Sequence, residues 1–367
     1  MASTHNHLVI MAGGIGSRFW PMSTPENPKQ FIDALGLGRT FLQQTFDNFS
    51  GVVPPENVWV VTSQAYRESV VAQLPEIPVG NILLEPCRRN TAPCIAYVAW
   101  RIKKQDPKAN LVVSPSDHFI RDKDTFRQVI AEALDFTASS DAIITLGMQP
   151  SRPETGYGYI QADLSAPSLR NKRVYRVDSF KEKPDLATAM QYIKNKEYYW
   201  NSGIFIWNVH TIVNSIRIYA PEIADVFETL FPQLGTAEEQ DLINAAFPRC
   251  PNISIDYAIL EKADEIFVMP ADFGWSDVGT WTSLLQLAPK DDRGNAAIGP
   301  CIRLYDTHNC IIHTSEEREV VVQGLQDYIV AEHAGTLLIC RLSDEQRIKD
   351  FSQEACPVNP AEPGSQS

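Results

Sequence analysis

The sequence lacks several features that would each place it in a particular class of protein. No apolar run approaches the roughly 18 residues that a helix needs to cross a bilayer. The first residues, MASTHNHLVIMA, contain no basic segment, and their apolar run is too short for a secretory signal. These absences predict a soluble, cytoplasmic protein that has no membrane partner.

Positive charge is also scarce in this chain. The 367 residues include 32 Lys and Arg but 45 Asp and Glu, so the formal net charge is −13. Proteins that bind nucleic acid through a broad basic surface have the opposite balance, and no nucleic-acid partner is therefore expected. A small anionic ligand remains compatible with this charge, because a pocket needs only a few local cations.

Cysteine occurs seven times, but its spacing argues against the common cysteine frameworks. The number is odd, the residues are scattered, and no C-x-x-C motif occurs. We therefore expect reduced thiols rather than a disulfide framework or a structural zinc site. The hydrophobic fraction of 44% is sufficient for a substantial core in one large domain or in two.

The first 150 residues alternate strand-like and helix-like segments. Buried strands are predicted at HLVIMA, NVWVVTS, NILLEP, NLVVSPSDH and AIITLGM, with helical segments between them. Near-continuous apolar strands in this alternation predict a doubly wound, mostly parallel α/β sheet of Rossmann-like kind. Ligands of such sheets bind beyond the carboxyl ends of the strands, so residues at those ends are the first candidates for function.

The pattern loosens after about residue 155 and changes again after residue 288. Strands are predicted at TGYGYIQAD, VYRVDSFKEKP and WNSGIF, and a helix at SIDYAILEKA. Later apolar runs start at Cys310, Val320, Tyr328 and Leu337, spaced by 10, 8 and 9 residues, which favours a small β-solenoid or a meander. The predicted organisation is a catalytic domain at 1–288, a β-helix-like domain at 289–350 and a disordered tail at 351–367.

A glycine-rich loop, Gly13-Gly14-Ile15-Gly16-Ser17-Arg18, follows the first strand. The backbone N–H groups of such a loop can cradle phosphate oxygens, although an ordinary tight turn explains the glycines equally well. Arg18 and Lys29 favour phosphate binding, because a polyphosphate requires cations; two solvated surface charges are the alternative. The spacing fits neither a P-loop nor a dinucleotide-binding fingerprint.

Polar residues that follow other predicted strands are further candidates. Asp117 and Asp277 could share a Mg²⁺ ion against phosphate oxygens, while a capping role is the alternative for each. Asn90 or Thr91 can cap the next helix, and an amide at this place could also interact with a base edge. These interpretations remain open at the level of single residues.

The second half of the chain supplies groups that suit a sugar phosphate. Carboxylate and amide groups hydrogen-bond hydroxyls, an ammonium pairs with phosphate, and glycine leaves room for a sugar ring. The candidates are Glu182 and Asn201 for the hydroxyls, Lys183 for the phosphate, and Gly156 and Gly158 for the ring. Each of them is equally compatible with an ordinary loop or strand edge.

Nine motifs occur in a single order between Leu8 and about Phe351, among them AGGIGSRFWP, PKQF, RNTAP, PSDH, FKEKPD and WSDVGTW. In this order they resemble the mannose-1-phosphate guanylyltransferases, a family of sugar nucleotidyltransferases. The resemblance implies a nucleotidyltransferase domain followed by a short left-handed β-helix-like domain. Some members of the family carry an additional isomerase domain, and isomerase activity is not expected here.

The resemblance also implies a reaction and a set of functional residues. GTP and α-D-mannose 1-phosphate would give GDP-mannose and diphosphate by in-line attack on the α-phosphorus, with Mg²⁺ as cofactor. Nucleotide binding is implied for Ala12, Gly13, Gly14, Gly16, Ser17, Arg18, Glu85, Pro86, Asn90, Thr91 and Asp117. Sugar-phosphate binding is implied for Gly156, Tyr157, Gly158, Glu182, Lys183 and Asn201. Catalytic roles are implied for Arg18, Lys29, Asp117 and Asp277, the two aspartates as metal ligands.

Two alternatives differ in chemistry from this expectation. The same fold could use another pair of nucleoside triphosphate and sugar 1-phosphate, or the chain could be a non-catalytic subunit that senses GDP-mannose. A homodimer formed through the open end of the C-terminal coils is a further hypothesis.

Overall fold

The structure, a computed structural model, describes residues 4–168, 170–314 and 318–354. It divides into two compact units. Among the described residues, the sheet unit comprises those within 4–13 and 42–277, and the coil unit those within 14–41 and 278–354. The chain therefore passes from one unit to the other three times: inside the glycine loop, directly after Phe41 and directly after Asp277. The domain boundary at residue 288 stays a prediction.

The sheet unit alternates strands and helices along most of its length. Its strands are β1 (Asn6–Ala12), β2 (Val58–Ser63), β3 (Ile82–Glu85), β4 (Asn110–Pro115), β5 (Phe119–Ile120), β6 (Ile143–Met148), β7 (Tyr159–Pro167), β8 (Tyr175–Lys181), β9 (Tyr198–Asn208), β10 (Ile266–Ala271) and β11 (Trp275–Ser276). Its helices are α1 (Phe41–Asn48), α2 (Arg67–Gln73), α3 (Thr91–Gln105), α4 (Lys123–Thr137), α5 (Leu186–Tyr192), α6 (Val209–Tyr219), α7 (Pro221–Leu230) and α8 (Glu239–Ala246).

Nine of the strands in the described residues form one large sheet, in the order β3-β2-β1-β4-β9-β6-β10-β8-β7. The strands β1 to β4 pair in parallel, as do β6 and β10. β9 is antiparallel to both β4 and β6, and β8 is antiparallel to both β10 and β7. Within the described sheet, β8 and β9 thus run against the other seven strands, and the predicted mostly parallel α/β sheet is confirmed.

The apolar strands and helices of the sheet unit form its core. Leu8, Val9 and Ile10 of β1 are completely buried, as expected for a strand covered on both faces. α3 is also buried along most of its length, and its Trp100 ring lies 6.0 Å from the ring of Phe227 on α7. The sheet therefore provides a fixed base for residues at the carboxyl ends of its strands.

One predicted helix has a different geometry in the structure. SIDYAILEKA contains a five-residue π-helical turn, Asp256–Leu260, in which the N–H of Glu261 donates to the carbonyl of Asp256. The preceding residues are tied to the start of α3, because the Ile255 N–H donates to Thr91 Oγ1 and the Ala92 N–H donates to the Ile253 carbonyl. Because these hydrogen bonds hold Ile253 and Ile255 against the start of α3, the π-helical turn starts only at Asp256. Few residues of the motif then remain for a regular α-helix.

The coil unit contains two short helices and stacked strands. The helices are α9 (Trp281–Leu287) and α10 (Ile348–Glu354), and the strands are β12 (Ala296–Ile298), β13 (Ile302–Tyr305), β14 (Ile311–Thr314), β15 (Val320–Gln323), β16 (Tyr328–His333) and β17 (Thr336–Arg341). α10 extends four residues into the predicted tail, and residues 355–367 lie outside the described residues.

The strands of the coil unit stack as successive coils. β12, β14 and β16 pair in parallel, as do β13 and β15. Ile311 is opposite Ile329 and Ile302 is opposite Val320, an offset of eighteen residues in both cases, which is the arrangement of a β-helix-like domain. β16 and β17 then form an antiparallel hairpin. The parallel stacking confirms the β-helix-like arrangement, the first of the two that the spacing favours, and the segment ends in a hairpin rather than a meander.

The described residues contain no candidate membrane-spanning helix, and their cysteines form no disulfides. Among the described residues, no helix combines the length and the apolar character that crossing a membrane would require. The cysteines at 87, 94, 250, 301, 310 and 340 are free thiols, and Cys356 lies outside the described residues.

His313 is buried in the coil unit and links the coils to the segment that follows the glycine loop. Its Nε2 lies 3.2 Å from the carbonyl oxygen of Ala34, and its ring lies 6.1 Å from that of Trp281. Burial lowers the pKa of His313 to about 4, whereas an unfolded chain gives histidine its ordinary value. The neutral imidazole is therefore the form that the folded coil unit accommodates.

We expect His313 to make the protein less stable in acid. Because its folded pKa is depressed, the stabilisation is complete above pH 6.5 and is lost as the pH falls towards 4. Between pH 8 and pH 5 the free energy of unfolding should fall by about 2 kcal/mol more in the wild type than in His313→Gln. Urea unfolding of both proteins at each pH measures this difference, and parallel pH profiles would contradict it.

Candidate active site

A two-stranded ladder at the carboxyl end of β4 brings two distant acidic residues together. Trp275 of β11 is opposite Ile120 of β5, and Ser276 is opposite Phe119. Asp277 directly follows Ser276, and Asp117 lies two residues before Phe119. Because the ladder is antiparallel, it carries Asp117 and Asp277 to neighbouring positions at one end.

Aromatic side chains fix the surroundings of Asp277. The Tyr157 hydroxyl donates a hydrogen bond of 2.6 Å to Asp277 Oδ1, and the Tyr157 ring packs edge-on against Trp200 and Trp275. Burial, together with the Asp277 carboxylate, raises the pKa of Tyr157, so its hydroxyl remains a donor. Trp275 Nε1 donates to His118 Nδ1 at 3.2 Å, which places the proton of a neutral His118 on Nε2.

A cleft of about 210 Å³ opens beside this ladder. Its lining includes seven residues that the sequence predicts as site residues: Thr91, Gly156, Tyr157, Gly158, Glu182, Asn201 and Asp277. His118, Asp256 and Trp275 also line it. Asp117 and Lys183 are not among the described lining residues, although each is adjacent in sequence to one that is. Five of the six predicted sugar-phosphate residues thus line one cleft in the sheet unit.

Gly158 allows Glu182 to take its position in the cleft. A Cβ atom at Gly158 would lie 2.6 Å from Glu182 Oε2 and 3.2 Å from the ring of Phe180, so a larger residue would displace this carboxylate. The Lys183 ammonium donates to Glu182 Oε1 at 2.6 Å. The Glu182 side chain is only 10% exposed, whereas that of Lys183 is 61% exposed. A buried acceptor therefore lies beside an accessible cation.

A second group of predicted residues meets at the ends of β1 and β3. Glu85 is buried, and its Oε2 lies 3.3 Å from the position that a Cβ would take at Gly13. Glu85 Oε1 is buried and has no hydrogen-bond partner among the described residues. Burial raises the pKa of Glu85 to about 7, opposed by a hydrogen bond with Cys94 and by the charge of Arg88. This orphaned carboxylate oxygen is a group that a ligand could satisfy.

Asn90 and Thr91, two predicted ligand-binding residues at the start of α3, already accept hydrogen bonds from the protein backbone. Asn90 has a positive φ of 65° and caps the helix, its Oδ1 accepting from the Thr91 N–H at 2.9 Å. Thr91 Oγ1 accepts from the Ile255 N–H. The capping role therefore occurs in the structure, and the amide group of Asn90 still leaves its donors for another contact.

The glycine loop beyond Gly13 is held within the coil unit. Gly16 has a φ of 69°, and a Cβ there would lie 2.4 Å from Lys29 Cβ, so only glycine allows this close approach. Lys29 is buried, with its Nζ 5.4 Å from the Phe19 ring centre and 5.1 Å from that of Phe41. Aromatic faces of this kind stabilise an ammonium that has left bulk water.

Arg18 lies on the exposed side of the same loop. It belongs to a short 3-10 helix, Ser17–Phe19, and its Nε donates to Gln346 Oε1 at 3.1 Å. Gln346 precedes α10, and this end of the chain is anchored by Glu345, whose Oε2 accepts from the Thr282 N–H at 2.8 Å. The C-terminal residues of the coil unit therefore orient the guanidinium.

Comparison with known proteins identifies the family to which these features belong. The nucleotidyl transferase family model matches residues 7–294. The chain is 38% identical over 353 residues to mannose-1-phosphate guanylyltransferase 2 of Escherichia coli O157:H7, covering 93% of this chain and 71% of that protein. It is 36% identical over 362 residues to mannose-1-phosphate guanylyltransferase of Escherichia coli K12, covering 96% of this chain and 74% of that protein.

The chain belongs to the mannose-1-phosphate guanylyltransferase family. A crystal structure of a protein described as mannose-1-phosphate geranyltransferase, from Thermus thermophilus, has the same fold, with a TM-score of 0.85, 29% identity, and coverage of 95% of this chain and 99% of that one. Membership of this guanylyltransferase family makes the chain a nucleotidyltransferase enzyme of GDP-mannose biosynthesis, as the order of its motifs predicts. The roles of individual residues stay predictions.

One cleft residue of this guanylyltransferase was missed by sequence reasoning. Asp256 lies in the motif SIDYAILEKA, which we interpreted only as a helix. The sequence signal was an acidic residue within a family motif, but its position in the cleft depends on the π-helical turn and on the contacts between Ile255 and Thr91. Neither can be inferred from residue spacing.

Gly158→Ala should impair the guanylyltransferase activity without unfolding the protein. The added Cβ displaces Glu182, and a shift of about 1 Å in a positioning group can cost on the order of 10² in kcat/KM. Steady-state kinetics and a thermal melt measure the two effects. Gly80→Ala is the matched control, because a Cβ at Gly80 meets no atom within 4 Å. Equal kinetics in the two variants would argue against a role for the position of Glu182.

Proposed function

We propose that the protein transfers a guanylyl group from GTP to α-D-mannose 1-phosphate, forming GDP-mannose and diphosphate. The names of its relatives supply the substrates, and the similarity extends over 93–96% of the chain. The proposal chiefly rests on the observation that five of the six predicted sugar-phosphate residues line one cleft together with Asp277.

The charge of this cleft fits a divalent cation. Glu182, Asp256 and Asp277 place three carboxylates around it, so two anionic substrates would meet repulsion there. The ladder of β5 and β11 supplies hard oxygen ligands from Asp117 and Asp277, which is the donor type that Mg²⁺ prefers. Within the described residues, no three His, Cys, Asp or Glu side chains are grouped to hold a metal. The two aspartates would therefore hold Mg²⁺ together with substrate phosphate oxygens.

The glycine loop is the proposed binding site for the triphosphate. Its backbone N–H groups would cradle phosphate oxygens, and Arg18 and Lys29 would stabilise the departing diphosphate. Lys29 supports this role because its ammonium is buried beside the rings of Phe19 and Phe41, which stabilise a cation there. Arg18 supports it because Gln346 orients the guanidinium.

The sugar phosphate would occupy the cleft of the sheet unit. Glu182 and Asn201 would bind hydroxyls, the accessible Lys183 would pair with the phosphate, and Gly156 and Gly158 would leave room for the ring. The phosphate oxygen that attacks the α-phosphorus is already anionic at neutral pH. No general base is therefore required, and the residues act by holding two anions in line. When bound, Mg²⁺ supplies Lewis-acid neutralisation of the phosphate charge.

The proposal is tested by measuring diphosphate release in the presence of Mg²⁺. GTP, ATP, UTP and dTTP are each combined with mannose, glucose and N-acetylglucosamine 1-phosphates. We expect a signal only with GTP and mannose 1-phosphate. A different productive pair would overturn the specificity, and the absence of turnover in a protein that binds GDP-mannose would favour the sensing subunit.

Asp277→Ala should lower kcat by about 10²–10³, because it removes a charged group that acts on the reacting phosphates. Asp272→Ala is the matched control, since Asp272 is an exposed aspartate on the other side of β11 from Asp277. Both variants are assayed over a range of Mg²⁺ concentrations. Near-normal turnover of Asp277→Ala at saturating Mg²⁺ would show that the metal assignment is wrong.

Glu85 is the proposed guanine-binding acid, together with the neighbouring residues Pro86 and Asn90. Guanine presents two adjacent donors, N1–H and the N2 amino group, and a carboxylate accepts both. The buried Glu85 Oε1 without a partner fits such a ligand. ITP is a direct probe of this contact, because hypoxanthine keeps N1–H and lacks the N2 amino group.

We expect the wild type to prefer GTP over ITP by about 10- to 100-fold, the value of a hydrogen bond to a charged group. Glu85→Gln should reduce this ratio to near one, with Glu76→Gln, at an exposed position, as the control. Since the pKa of Glu85 is about 7, the ratio should also fall below pH 7, as the carboxylate becomes protonated. An unchanged ratio in Glu85→Gln would exclude Glu85 as the base contact.

A cytoplasmic location and a homodimer stay predictions from the sequence. Gel filtration with light scattering measures the second directly.

A further inference from the structure

Asp256 lies in the cleft, and the roles assigned above leave it without a function. It is the first residue of the π-helical turn Asp256–Leu260, and it is partly buried between Asn201 and Glu182. Single π-helical turns are rare and are frequent at functional sites. The π-helical turn therefore points to a functional role for Asp256, which the contacts of its carboxylate indicate.

The amide of Asn201 is largely committed to the protein. Its Oδ1 accepts from Thr145 Oγ1 at 2.9 Å and from the Gly203 N–H at 3.1 Å, which uses both lone pairs. Its Nδ2 donates to Asp256 Oδ1 at 3.1 Å. Asn201 thus has at most one N–H for a ligand, and its main contact towards the cleft is with Asp256.

These contacts form a chain of hydrogen bonds that begins inside the sheet. Thr145 is a completely buried residue of β6, Asn201 lies on β9, and the N–H of Asn201 donates to the Gly158 carbonyl at 2.8 Å. The orientation of Asp256 is therefore fixed by elements of the sheet rather than by a loop. A carboxylate held in this way is preorganised as an acceptor.

The charges around Asp256 favour a ligand that donates hydrogen bonds. Burial and the neighbouring Glu182 carboxylate raise the pKa of Asp256 to about 6, while Ser254 and Lys183 act in the opposite direction. Asp256 is therefore mostly ionised at neutral pH, and the neighbouring Glu182 carboxylate disfavours that charge. Two hydroxyl groups that donate to these two carboxylates would relieve this effect without bringing further negative charge.

We propose that Asp256 and Glu182 together bind two hydroxyl groups of the hexose 1-phosphate, and that Asn201 is the residue that positions Asp256. The inference deepens the proposed function and rests on it, because it assumes that the sugar occupies this cleft. It changes the predicted role of Asn201 from a direct sugar contact to a largely indirect one.

Steady-state kinetics of Asp256→Ala and Asp256→Asn test the proposal. A hydrogen bond to a charged group contributes enough that its loss should raise KM for mannose 1-phosphate by about 10- to 100-fold. KM for GTP should remain within about twofold of the wild type, and Asn201→Ala should give a smaller increase in KM for the sugar phosphate. Asp264→Asn, at an exposed position, is the matched control.

Deoxy analogues distinguish a direct contact from a structural effect. The 2-, 3-, 4- and 6-deoxy forms of mannose 1-phosphate are compared in the wild type and in Asp256→Asn. If Asp256 contacts a hydroxyl, the analogue that lacks it should lose at least about tenfold in kcat/KM with the wild type and little with the variant. If every analogue loses the same factor in both proteins, or if Asp256→Ala has a normal KM for the sugar phosphate, the proposal is wrong.

Failure of the proposed function can be distinguished from failure of the Asp256 proposal. If the proposed function is wrong, the wild type itself shows no turnover with mannose 1-phosphate. If the wild type instead accepts another hexose 1-phosphate, the same comparison with that sugar decides whether Asp256 contacts it.

Discussion

The antiparallel strand β9 is the constraint on which the sheet unit depends. In the described sheet, it is the strand that joins the parallel set ending in β4 to the set that begins with β6. A strand inserted between two others must satisfy the backbone groups of both neighbours, so its register is fixed on each side. The first residues of β9 also pair with β7, and Asn201 therefore lies where β6, β7 and β9 meet. One wall of the cleft is built on the centre of the sheet.

Much of the fold could be predicted from hydrophobic pattern alone. β1 and α3 appear where their apolar residues indicate, because burial on both faces leaves a clear signal in such segments. The antiparallel direction of β9 could not be predicted in this way, since an apolar strand has the same composition whichever way it runs. The π-helical turn at Asp256 was also out of reach, because hydrogen bonds with the start of α3 define where it begins.

The candidate site was predictable to the extent that its residues follow strands. Asp277 and Glu182 were predicted by position and residue type and line the cleft, while their roles stay predictions. The order of motifs gave the family. The coupling of side chains was not predictable: the hydrogen bond from Tyr157 to Asp277 and the packing of Lys29 between two rings depend on distances that sequence spacing does not encode. Because the protein is acidic and its proposed substrates are anions, these couplings matter: they determine where the few cationic and metal-binding groups lie.

The glycine loop groups with the C-terminal coils rather than with the strand that precedes it. The described residues within 14–41 and 278–354 form one packing unit although 42–277 separates them in the sequence. If two relatives recombined, a single crossover near the C-terminus would combine the glycine loop of one parent with the C-terminal coils of the other. The packing of Phe19 against Trp281 and the contact of His313 with the Ala34 carbonyl would then join residues from different parents. Chimeras that preserve this packing need three junctions, at 13/14, 41/42 and 277/278, so the C-terminal segment and the loop have to be exchanged together.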